Sequence, residues 1–100
     1  MANLDVVIPH SLTEDEATER IKKLLVEVKR KYGSTISDLK ENWKGNTGEF
    51  SFTSQGFNVS GTLEVNSSKV RLTGKIPLAL SLFKGLISKT IYEEGAKILS

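Results

Sequence analysis

Two hydrophobic periods divide the chain. Ala17, Ile21, Leu24, Leu25, Val28 and Tyr32 recur at steps of three and four residues, which lays them along one stripe of a helix. Thr13 followed by Glu16 predicts a capping box, in which Thr13 accepts from the Glu16 amide and the Glu16 side chain reaches back to the Thr13 amide. Leu12 and Ala17 flank it as a hydrophobic staple. Acids open this helix and Lys29, Arg30 and Lys31 close it, both matching the helix dipole. Gly33 then predicts a left-handed stop.

From about Leu39 to Ile76 the period becomes two, with glycine and asparagine at the breaks, which predicts four strands joined by hairpins. A two-residue loop at Asn66 and Ser67 sets Leu63 opposite Val70 and Phe57 opposite Ile76. On the other face the same register pairs Glu64 with Lys69 and Thr62 with Arg71. The neighbouring hairpins, read the same way, set Phe52 opposite Phe57, Trp43 opposite Phe50, and Lys44 opposite Glu49. One face of the sheet is then apolar: Leu39, Trp43, Phe50, Phe52, Phe57, Val59, Leu63, Val65, Val70, Leu72 and Ile76. Gly61 and Gly74 fall on that dry face, opposite Leu72 and Val59, where a missing side chain lets a helix cross close to the sheet or leaves room for a ligand, close packing being preferred. A short extended run from Asp5 to Pro9 adds an edge strand beside the last one, with Pro9 ending its pairing.

The stretch from Leu78 to Ile91 is the most apolar in the chain. Leu80, Phe83, Ile87, Ile91 and Ile98 form a stripe that suits a helix lying on the sheet. Leu78, Leu82 and Leu86 extend along a flank beside it, wider than one buried stripe requires. The expected fold is α+β, in the order β-α-β-β-β-β-α, with an antiparallel sheet and both helices on its dry face in a helix-grip-like arrangement. One hundred residues suit a single domain, 1–100.

Composition removes several function classes. A net charge of +2 lacks the basic block of a dedicated nucleic-acid binder, and the aromatics belong to the dry face rather than to a base-stacking surface. There is no cysteine, so disulfides, thiolate metal sites and cysteine nucleophiles are excluded. The amino-terminal stretch carries an acid and a proline where a signal peptide needs a basic start. The longest uncharged apolar run, Ile76 to Phe83, is far below the roughly 20 residues of a spanning helix.

Few residues carry candidate chemistry. His10 is the single histidine, which argues against a metal site and for a hydrogen-bonding role at the strand-to-helix junction. Ser11 beside it has no specified orienting acid, so no hydrolase triad is assigned. Alternation puts Glu41 between Leu39 and Trp43 on the dry face. A desolvated carboxylate there is the material of a general acid or a ligand anchor, whereas at a sheet edge it reaches water and discourages edge pairing. The edge reading is preferred. Lys69, Arg71 and Lys75 on one strand read as a solvated face.

Pro9-His10-Ser11-Leu12 followed by Glu16 and Ala17, the Trp43 strand, Gly56 to Gly61 leading into Thr62 to Val65, and Phe83-Lys84-Gly85 come in a telling order. Together they resemble the small polyhydroxyalkanoic acid system proteins, the granule-region family, over nearly the whole chain. The resemblance implies a bacterial, cytoplasmic protein associated with storage-polyester granules, with no catalytic residue carried over. The function expected is a non-enzymatic accessory protein without cofactor or metal, binding an apolar surface or a lipid-like ligand through Leu78, Leu82 and Leu86, with Trp43 and Glu41 at the aromatic end of the sheet. The alternatives are a small acyl- or hydroxyacyl-processing enzyme using Glu41 or His10, and a dimeric interaction module using the leucine flank. Its state is then monomer or homodimer, with a granule surface or small apolar ligand as partner.

Overall fold

The computed structural model describes residues 2–54 and 56–100, apart from the side chains of Ala2 and Tyr32. The stripe position expected of Tyr32 therefore lies outside the described residues. Strand β1 (Ala2–Pro9) leads into helix α1 (Glu14–Tyr32), then strands β2 (Ile36–Lys44), β3 (Thr47–Ser54), β4 (Phe57–Val65) and β5 (Lys69–Ile76). A 3-10 segment (Leu78–Phe83) and helix α2 (Lys84–Leu99) complete the order. The five strands form one antiparallel sheet in the order β1-β5-β4-β3-β2. This is the expected α+β arrangement, with β1 beside β5 and Pro9 in its last pair.

Helix α1 starts as its sequence dictates, Thr13 accepting from the Glu16 amide at 3.1 Å. The reciprocal half of the capping box is absent because the Glu16 carboxylate is taken by Arg20, also at 3.1 Å. Gly33 is right-handed, with φ −60°, so the helix ends without the left-handed residue expected there. Ala17 and Ile21 are buried, and Leu24, Leu25 and Val28 are half-buried behind them.

Every strand presents the expected face, yet each hairpin is paired two residues away from its expected register. In β4 and β5, Leu63 faces Leu72, Val65 faces Val70 and Glu64 faces Arg71. The cause is the turn. Asn66 donates its amide to the Lys69 carbonyl at 3.0 Å, while its side chain accepts from the amides of Ser68 and Lys69, so Asn66 opens the turn instead of occupying its centre. In β2 and β3 the left-handed Gly45, at φ +59°, places Trp43 opposite Gly48 and Glu41 opposite Phe50. Left-handed Gly56 likewise closes the next hairpin, so Phe52 faces Val59. Gly61 and Gly74 consequently oppose each other.

Aromatic rings fill the places where side chains are missing. The Trp43 ring covers Gly48, where a Cβ would come within 2.7 Å of it. A Cβ on Gly61 would lie 2.6 Å from Phe50 Cζ and 2.7 Å from the Thr73 carbonyl oxygen. It is the Phe50 ring, rather than a crossing helix, that exploits this glycine. Phe50 in turn stacks on Phe52, with centroids 6.4 Å apart.

The packed core gathers at one end of the dry face. It joins Val6 and Ile8 of β1, Ala17 and Ile21 of α1, Leu63, Val65 and Val70 of the last hairpin, and Leu99 of α2. Buried Gly95 brings α2 onto β1 so closely that an added Cβ would collide with Ile8 Cδ1. Arg20 fixes the same corner by donating to the carbonyls of Ile98 and Ser100 at 2.9 and 2.8 Å. A cation on the last carbonyls of α2 also complements its dipole.

These contacts can be tested by substitution. Gly61→Val inserts carbon where Phe50 and the Thr73 carbonyl already lie, and equilibrium denaturation should show a loss of about 1–3 kcal/mol. On the polar face, Arg71 donates to both carboxylate oxygens of Asp5 at 3.1 and 2.7 Å. That hydrogen bonding holds the Asp5 carboxyl below its ordinary value of 3.8. A depressed folded value contributes stability above pH 3.8 and loses it as pH falls through the folded value. The stability gap between the wild type and Asp5→Asn, small at neutral pH because the pair is exposed, should close in denaturation curves taken at successively lower pH.

Candidate functional site

Pro77, with φ −58°, cannot donate to the ladder, and β5 ends in front of it. The chain then winds as a 3-10 segment, the Leu80 amide donating to the Pro77 carbonyl at 2.9 Å, before α2 begins. No residue of this segment is buried. Leu82 is 92% exposed, Leu78 68%, Leu86 64% and Phe83 52%. Leu78, Leu82 and Leu86 are thus each open to solvent, and so is Phe83.

Helical spacing alone puts Phe83 beneath the helix, in line with Leu80, Ile87, Ile91 and Ile98, and here the structure differs. A 3-10 turn advances three residues per turn instead of 3.6, so a stripe drawn at helical spacing loses its phase there. The side of α2 that packs on the sheet is Ile91, Gly95 and Leu99, spaced by fours, with Ile98 half-buried beside them. Gly95 is not evident from the hydrophobic stripe because a glycine carries no hydrophobic signal, and the stripe drawn through Ile98 passes one residue short of Leu99. The four-residue spacing from Ile91 to Leu99 is the clue to them.

Trp43 and Glu41 lie far from these leucines. Both belong to β2, the edge strand across the whole sheet from β1, whereas the 3-10 segment and α2 pack against β1. The structure therefore does not unite the five expected site residues. Trp43 is half-buried between Gly48 and α1, whose Lys22 places Nζ 5.3 Å from the ring centroid. Such a cation over an indole face contributes about 0.5–1 kcal/mol. The indole Nε1 is buried without a hydrogen-bond partner among the described residues. Glu41 is exposed on the edge strand, where water hydrates the carboxylate.

His10 has two partners and both are structural. Nδ1 accepts from the Leu12 amide at 3.0 Å, so the proton resides on Nε2, which donates to the Asn66 carbonyl at 2.8 Å. The imidazole thereby ties the start of α1 to the β4–β5 turn. Among the described residues no group of three or more His, Cys, Asp or Glu side chains could hold a metal ion. An open groove of about 770 Å³ crosses the polar face, with Thr73, Thr62 and Ser60 at its centre and charged side chains at its rims. Its lining also includes Leu4, Phe50 and the predicted site residue Glu41. No helix among the described residues is long and apolar enough to cross a membrane.

Leu78, Leu82, Phe83 and Leu86 are close in the chain and are large apolar side chains that the fold leaves in water. No curated protein matches the chain. Its fold is similar to that in the crystal structure of TTHA0849 from Thermus thermophilus, at 15% identity and a TM-score of 0.56, the alignment covering 98% of this chain and 92% of that one. At that identity the likeness concerns the fold alone. Residues 4–99 match the family described as "Putative polyhydroxyalkanoic acid system protein", and with nearly the whole length matched the chain belongs to that family.

Proposed function

We propose that the protein is a non-enzymatic accessory protein of the bacterial cytoplasm that attaches to the apolar surface of polyhydroxyalkanoate granules. Its contact surface is the cluster of Leu78, Leu82, Phe83 and Leu86. The observation that carries this reading is their exposure, led by Leu82 at 92%. Each large apolar side chain transferred from water contributes about 1.5–3 kcal/mol, so a few acting together hold a small protein on a greasy surface. Lys84 sits among them, and its long stem allows the ammonium to stay hydrated while the leucines are buried. Membership of the polyhydroxyalkanoic acid system family supports the choice of surface.

Co-sedimentation of purified protein with polyhydroxybutyrate particles tests the proposal. Leu82→Lys should leave stability within about 0.5 kcal/mol, since the side chain it replaces touches little. It should weaken particle binding by about one to two orders of magnitude, the loss expected from removing one buried leucine. Unchanged binding by the folded variant would rule this surface out. The absence of catalysis is tested separately with Glu41→Gln and His10→Ala. Both should retain wild-type particle binding, and an acyl hydrolase activity abolished by either change would overturn the non-enzymatic reading.

A further inference from the structure

The two edges of the sheet are built differently. On the β2 edge the pairing slips between Ser37 and Lys40, Asp38 adopts φ +55°, and Asp38, Lys40, Glu41 and Lys44 crowd the strand with charge. A bulge and dense charge are the devices that keep an edge from pairing with another chain. On the β1 edge neither is present. Its eight residues pair with β5 without a slip, from Ala2 opposite Ile76 to Pro9 opposite Lys69. Its single ionisable side chain, Asp5, is already matched by Arg71 at 2.7 Å.

The direction of the unpaired backbone groups follows from one hydrogen bond. The His10 amide donates to the Ser68 carbonyl at 2.9 Å, in register with the β1–β5 pairs. Hydrogen-bonded and non-hydrogen-bonded pairs alternate along an antiparallel ladder, so the even-numbered residues of β1 bond inward and the backbone of Asn3, Asp5 and Val7 points outward. Val7 is also 43% exposed on the otherwise polar face, opposite Arg71.

We propose that the chain forms a homodimer by antiparallel pairing of β1 with β1 of a second copy, which joins the two sheets into one. The edge is complementary to itself. A two-fold axis centred on Val7 sets the two exposed valines against each other, so each covers an apolar side chain that the single chain leaves in water. The same register keeps the two Asp5 carboxylates apart, each opposite a Pro9 whose carbonyl still accepts the Asp5 amide. The one charge on the edge strand itself, Asp5, is already matched by Arg71 within each copy, so the pairing leaves no unmatched carboxylate at the seam. The leucine cluster is not on β1, and this proposal stands independently of the granule surface.

Sedimentation equilibrium of the full chain should give twice the 11.0 kDa of the monomer. Val7→Lys, which sets two ammoniums face to face, should sediment as a monomer with an unchanged circular dichroism spectrum. In hydrogen exchange of the wild type, the amides of Asp5 and Val7 should be protected together with those of Val6 and Ile8. In Val7→Lys the Asp5 amide should exchange about tenfold faster or more, while Val6 and Ile8 keep their protection. A monomeric wild type, or a Val7→Lys protein that stays dimeric, would overturn the proposal. So would dissociation by Leu82→Lys but not by Val7→Lys, which would transfer the interface to the leucine cluster. Should Val7→Lys fail to fold, fast exchange at Asp5 and Val7 in the wild type beside slow exchange at Val6 and Ile8 is itself a refutation.

Discussion

The close approach of α2 to β1 at Gly95 governs the rest of the molecule. A glycine there lets the helix backbone settle against Ile8, and Leu99 one turn later enters the core with Ala17, Ile21 and Val70. Arg20 then holds the final carbonyls of α2 from the neighbouring helix. With its carboxy-terminal half seated so tightly, the helix contributes burial where Gly95 and Leu99 lie and little at its beginning. The segment from Leu78 to Leu86 is therefore carried away from the core, and Leu78, Leu82, Phe83 and Leu86 stay in water while Leu80 is half-buried. A bulky residue at position 95 would lift the helix and redistribute that burial.

Polar side chains lock the turns to the helices at the same end of the fold. Asn46, in the β2–β3 turn, donates to the Glu14 carboxylate at 2.7 Å and accepts from the Thr18 hydroxyl at 3.2 Å, while its backbone carbonyl receives the Val65 amide. Thr18 is 4% exposed, and its single hydroxyl proton is shared between Asn46 Oδ1 and the nearer Glu14 carbonyl at 2.8 Å. His10 does the equivalent for the β4–β5 turn. Buried polar groups with partners cost little, whereas the same groups unpaired would cost about 1–3 kcal/mol each. These locks orient α1 over the sheet where apolar contacts alone leave it free to slide.

The molecule thus offers two unlike surfaces on neighbouring parts. The leucine cluster is greasy and non-directional, suited to a surface that has no fixed pattern of hydrogen bonds. The β1 edge is directional, since its backbone groups accept only a strand in register. A dimer formed through one would present two copies of the other, and two attachment points on a common surface bind with greater avidity than either alone. The β2 edge, bulged and charged, takes no part in this. Glu41 is better understood as one of its protecting charges than as a buried acid.

Alternation in the sequence is enough to establish which face each strand residue occupies, because side chains point to opposite sides at every step and apolar residues collect on one side. The α1 stripe and its Thr13 cap, the exposed leucine flank and the family resemblance are legible for similar local reasons. Register is not. A slip of two residues returns every side chain to its own face, so Leu63 meets Leu72 or Val70 without any change in the hydrophobic pattern, and only turn geometry at Gly45, Gly56 and Asn66 chooses between them. The tertiary structure also decided that Phe83 faces out, because a 3-10 turn breaks the helical phase, and that Glu16 serves Arg20 instead of its own cap. It separated Trp43 and Glu41 from the leucines as well, since strand order in space places β2 and β1 at opposite edges, and such long-range order is set by packing across the whole sheet and not by any local run of residues.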